Sequence, residues 1–200
     1  MMTTPQHTAR LAAPDLMSLE QYARTRKDFR ARVIAHKQLR NVAVGPHTTW
    51  CFEDRLTVQY QVQEMLRTER IFEPEGIQDE LDAYNPLIPD GNNLKATLLI
   101  EYTDAAERQV ALMQLKGLER HCYLAAGDER VYAIADEDLE RENEVKTSAV
   151  HFLRFEFSAA ARRLLEAGAP LVTGIDHPAY EHTTTLTAAA RSALLADLAP

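Results

Sequence analysis

The sequence predicts an α+β fold, with N-terminal helices followed by a mostly antiparallel sheet with packed helices. Three observations carry that prediction. Apolar residues recur at helical spacing through residues 16–90, the period switches to strand alternation at KATLLIEY, and later strands are joined by short turns instead of crossover helices. Residues 1–15, with two prolines, three threonines and no apolar period, are expected to form a disordered tail. Residues 16–200 are expected to form a single α+β domain, with a helical half over 16–90 and a sheet half over 92–200.

Over residues 18–40, Leu19, Tyr22, Phe29 and Val33 share a stripe that Arg26 interrupts, so Arg26 is expected to be partly buried and paired. VAVGP reads as a short extended piece ending in a turn. FEDRLTVQYQVQEMLRTERI gives the longest helix signal, with Val58, Val62, Met65 and Leu66 on one stripe. That stripe continues to Glu69, where a carboxylate implies either a paired group or a frayed helix end. Pro74 and Gly76 break the run, and Ile77, Leu81 and Tyr84 make a short helix that Asn85-Pro86 stops.

KATLLIEY turns Ala96, Leu98, Ile100 and Tyr102 toward a core. Asp104 suits the N-cap of a helix running through Leu115, with Val110 and Met113 inward and Gly117 at its end. Strands near 119–125 and 130–135 are joined by a GDE turn. The acid-rich DEDLERENE reads as an exposed loop or helical turn. VHFLRFEF is the clearest strand, with His151, Leu153, Phe155 and Phe157 on one face; His151 there reads as a satisfied core histidine. Ser158 caps AAARRLLEAG, PLVTGI supplies another strand, DHPAYEH a proline-bearing turn, and residues 186–198 a final amphipathic helix.

Composition narrows the function classes. At 200 residues and 46% hydrophobic, the chain can bury a full core without a disulfide or metal. Its net charge of −8 opposes binding to nucleic acid by bulk charge. The charge is unevenly spread: residues 16–40 hold seven bases against two acids, a local +5 that leaves −13 elsewhere. Such a chain suits docking onto a protein partner or a second copy of itself, and neither nucleic acid nor membrane is expected. Cys51 and Cys122 form no CxxC and read as reduced thiols. The N-terminus lacks the apolar run of a signal peptide, so a cytoplasmic location is expected.

Two clusters of residues carry candidate chemistry. Tyr60, Glu64, Arg67 and Arg70, joined by Tyr84 and Asn85 from the next helix, could recognise a polar ligand or hold a partner segment. The competing reading is an interhelical ion-pair network. DHPAYEH places Asp176, His177 and His182 together, and imidazoles with a carboxylate suit iron or zinc, which would make a small metal-dependent enzyme. Against that, Asp176 orients the turn, His177 donates to a backbone carbonyl and Tyr180 packs. Glu-x-x-His repeats, GxSxG and phosphate loops are all missing, so no cofactor is expected.

The strings VIAHKQLRNVAVGP, FEDRLTVQYQVQEMLRTERI, ELDAYNPLIPDGNNLKATLLIE, AIADEDLERENEVKTSAVHFLRFEF and GIDHPAY occur in one order. From Met17 to the C-terminus the chain resembles the bacterial family known as domain of unknown function 3501. The resemblance implies gene neighbours encoding a rubrerythrin-like protein and an iron–sulfur oxidoreductase. It therefore implies an accessory role in electron transfer or peroxide defence. The family supplies no catalytic residues to transfer.

Overall fold

A computed structural model describes residues 9–135 and 146–198. DEDLERENE and the first eight residues of the expected tail lie outside the described residues. Helix α1 (Leu19–Lys37) starts at a capping box in which Ser18 Oγ accepts from Gln21 N and Gln21 Oε1 accepts from Ser18 N. Strands β1 (Asn41–Ala43) and β2 (Thr48–Phe52) follow, then α2 (Arg55–Glu69) and α3 (Pro74–Tyr84). The longest helix is thus α1, and α2 starts only after Phe52 has completed a strand. Asp54 caps α2, its Oδ1 accepting from Thr57 N at 2.9 Å. Glu69 is the last residue of α2 and is exposed, so the stripe ends at a helix terminus.

The second half continues with β3 (Asn93–Ile100), α4 (Ala105–Gln114), β4 (Cys122–Ala126), β5 (Glu129–Tyr132), β6 (Ile134–Ala135) and β7 (Val150–Glu156). It ends with α5 (Ala159–Glu166), β8 (Leu171–His177), β9 (Tyr180–Thr185) and α6 (Ala188–Leu195). The α+β class holds, but the strands divide between two antiparallel sheets. One has the order β1-β2-β3-β7-β6 and the other β5-β4-β8-β9. Because β1 and β2 join the first sheet, the division into a helical half at 16–90 and a sheet half at 92–200 is corrected. The segment TTWCF was hidden between a Gly-Pro turn and a helix cap, and its alternation is only five residues long.

The inner faces of both sheets feed one core, in which Trp50 stacks on Phe155 with ring centroids 5.5 Å apart. Alternation in β3 buries Ala96, Leu98 and Ile100 as expected. In α4 the inward face is different from the expected one. Val110 and Met113 are 49% and 40% exposed, while Ala111, Leu112 and Leu115 are buried, because the i, i+1, i+4 set meets the core. A smaller core joins Leu11, Val58, Val62, Leu66, Leu81 and Ile88. Leu11 belongs to the segment expected to be a disordered tail. Residues 9–15 instead pack, because burying Leu11 and bonding its backbone to Asn85 offset the cost of ordering them.

DHPAYEH is likewise more regular than a loop. His177 pairs with Tyr180 in register, so Pro178 and Ala179 alone make the turn and Asp176 and His182 are strand residues. The Tyr180 hydroxyl donates to Val44 O and accepts from His47 N, both at 2.9 Å, tying the two sheets together. Gly45, at φ +74°, makes room for this: a Cβ there would overlap His182 and the Tyr180 hydroxyl.

Candidate functional site

The helical cluster forms where α1 crosses α2. Arg26, the one polar residue in the α1 stripe, donates from Nε and Nη2 to the two oxygens of Glu64, both at 2.7 Å. Tyr22 donates its phenol to the same carboxylate. The Arg26 guanidinium holds the Glu64 carboxyl down to about 2, against the opposing effect of burial, and the Tyr22 phenol assists. Burial and the Glu64 carboxylate push the Tyr22 phenol up, so it stays a donor. Phe29 bridges Tyr22 and Tyr60, with centroids 6.1 Å from each. Three donors therefore converge on Glu64, which makes it a structural anchor between helices.

The other expected members of that cluster are placed elsewhere. Arg70 is the exposed C-cap of α2, in the left-handed region at φ 56°. Tyr84 packs against the smaller core. Asn85 is buried and grips the N-terminal segment, its Oδ1 accepting from Leu11 N at 2.7 Å and its Nδ2 donating to Leu11 O at 2.9 Å. These bonds span 74 positions, and nothing local in the sequence signals them.

Anchoring Glu64 leaves a groove beside it. Arg26, Lys27, Arg30 and Arg67 line it with Ala31 and Ile34, around about 500 Å³. The α1 members recur at helical spacing on a face that packing does not cover, and Ile34 is 49% exposed. Arg67 supplies the facing wall from α2. The sequence showed the concentration of basic charge but not that four cations share one groove.

Asp176, His177 and His182 do not converge. Asp176 and His177 are consecutive in β8 and point to opposite faces. Among the described residues, no group of three or more His, Cys, Asp or Glu is arranged to hold a metal ion. His177 Nε2 donates to Lys116 O at 3.1 Å while Nδ1 accepts from Ala179 N at 3.2 Å, which assigns the neutral Nε2–H tautomer. His182 lies against the Tyr180 ring, centroids 4.5 Å apart. His151 is buried, its Nε2 2.9 Å from Thr147 Oγ1 and 3.0 Å from Ser148 O.

Asp176 instead gathers residues from the outer face of its sheet. His121 Nδ1 lies 3.0 Å from Asp176 Oδ1, and the Tyr132 hydroxyl donates to Oδ2 at 2.6 Å. Arg130 stands 4.3 Å over the Tyr123 ring, which crosses Gly174 so closely that a Cβ there would overlap it. Burial raises the Asp176 carboxyl, but the bonds from Tyr132 and His121 outweigh it and the net shift is downward. The signal for His121 was the strand register, since Cys122 opposite Ile175 puts His121 beside Asp176. The thiols are unsuited to attack: burial pushes Cys51 up to about 11, and burial likewise holds Cys122, wholly enclosed, well above the ordinary thiol range.

Two comparisons bear on identity, and both lead to proteins without an assigned activity. A crystal structure of a protein of unknown function from Burkholderia pseudomallei K96243 is 51% identical, with a TM-score of 0.90. It covers 95% of this chain and 100% of its own. No protein of curated function matches the chain. The family described as protein of unknown function (DUF3501) matches residues 10–198, and the chain belongs to that family.

Proposed function

We propose that the protein is a cytoplasmic, non-catalytic binding accessory that docks an acidic segment of a redox partner into the α1–α2 groove. The observation that carries this reading is the groove itself: Arg26, Lys27, Arg30 and Arg67 around an apolar floor that includes Ala31 and Ile34. A surface that joins cations to exposed aliphatic side chains fits a partner helix or loop bearing carboxylates beside one apolar anchor. The rest of the chain, at −13, repels the same partner, so charge also sets the docking orientation. The family resemblance supplies the partner class, an iron–sulfur oxidoreductase or a rubrerythrin-like protein.

The test is affinity purification from cells under gentle conditions, with identification of what is recovered. The wild-type chain is expected to retain an iron–sulfur or rubrerythrin-like protein, less strongly as salt rises. The Lys27→Glu/Arg30→Glu double variant is expected to lose it while remaining folded. Recovery of neither class by wild type, or equal recovery by the double variant, overturns the reading.

A further inference from the structure

A second cavity, of about 380 Å³, lies between the N-terminal segment and the loop that precedes β3. Arg10, Asn85, Pro86, Ile88, Asp90 and Lys95 line it. Its walls are held by specific bonds. The Asn85 amide clamps Leu11 on one side, and on the other the loop is pinned by Asn93 Oδ1 accepting from Asp90 N at 3.3 Å and Asp90 Oδ1 accepting from Asn92 N at 2.9 Å. Lys95 enters from the first sheet, opposite Arg154 in register, and its Nζ donates to Pro86 O.

Lys95 is half-buried in the cavity wall. Burial pushes its ammonium below the ordinary lysine range; Arg154 and Arg10 act in the same direction, while Asp90 and Glu156 oppose them. Partial desolvation beside other cations raises the share of a lysine that is present as the nucleophilic free amine. The cavity volume is that of a small-molecule site. Arg10 adds a guanidinium suited to a carboxylate.

We propose that this cavity binds a small 2-oxo acid, with Lys95 Nζ as the group that engages its carbonyl and Arg10 as the group that pairs with its carboxylate. The free amine adds to the carbonyl carbon, forming a C–N bond. The resulting carbinolamine gives up its hydroxyl as water, leaving an imine. No electrons are exchanged with a third component, and water is the only product released. The site is separate from the α1–α2 groove and stands or falls independently of it.

The experiment treats the full-length protein with glyoxylate and cyanoborohydride at neutral pH and maps the carboxymethylated lysines by peptide mass spectrometry. Lys95 is expected to be labelled several times faster than Lys27 and Lys37 on α1. The Arg10→Gln variant is expected to slow Lys95 labelling by glyoxylate while leaving its labelling by acetaldehyde unchanged. Labelling of Lys95 no faster than the α1 lysines in the wild-type protein overturns the proposal without recourse to any variant. An equal effect of Arg10→Gln on both aldehydes overturns the assignment of the acid group.

Discussion

Two arginine–carboxylate clusters fasten α1 to the rest of the molecule, and they do so in opposite environments. Arg26 meets Glu64 at a partly exposed crossing, with side chains 34% and 21% exposed. Arg40, just past the end of α1, is buried among acids. Its Nη1 lies 2.8 Å from Asp197 Oδ2 and its Nη2 3.0 Å from Asp197 Oδ1, while its Nε is 3.1 Å from Asp54 Oδ2. Desolvation opposes the Arg40 charge, yet Asp197 and then Asp54 outweigh it. His36 Nε2 adds a fourth group, 2.5 Å from Asp54 Oδ2. The contrast separates two jobs that look alike in the sequence. The buried cluster determines whether the molecule holds together, and the exposed one sets where the groove cations stand.

The largest effect should come from breaking the buried cluster. Arg40→Met leaves Asp197 and Asp54 buried without their cation and is expected to cost about 3–5 kcal/mol in urea unfolding. A loss below about 1 kcal/mol would erase the distinction between the clusters. At the partly exposed crossing, Glu64→Gln should cost less, about 1–3 kcal/mol near neutral pH. Its signature is the acid limb. Because the folded carboxyl is lowered to about 2 from its ordinary 4.5, the stability it contributes is complete above 4.5 and disappears as pH falls toward 2. Wild type and Glu64→Gln should therefore converge in stability over that window, as followed by unfolding at stepped pH. The smallest effect belongs to Lys27→Glu/Arg30→Glu, expected to alter thermal stability by less than about 0.5 kcal/mol per substitution while abolishing partner recovery.

How much of this was readable from the sequence depends on the range of the interaction. The alternation of β3 and the caps at Asp104 and Ser158 follow from neighbours a few positions away, and all are present; that Arg26 is paired follows from its place in an apolar stripe, although its partner Glu64 lies 38 positions on. The Asn85 clamp and the His121–Asp176 pair span 74 and 55 positions, so only strand register and chain packing create them. The same limit explains the metal reading of Asp176, His177 and His182. Proximity along the chain suggested a shared site, but adjacent strand residues face apart. The α4 face was misassigned for a different reason. Val110 and Met113 do share a face at i, i+3, but so do Ala111, Leu112 and Leu115, and only packing decides which arc of a short helix meets the core.

The bond between Arg40 and Asp197 crosses 157 positions. During synthesis, α1 and the strand that follows it emerge long before the carboxylate that neutralises Arg40. Until the final turn is made, this arginine lacks the partner that offsets most of its burial, and the surrounding core gains little by closing over it. A chain cut short before Asp197 would leave Arg40 without that partner. The last helical turn thus supplies the carboxylate that closes the buried cluster begun at the end of α1.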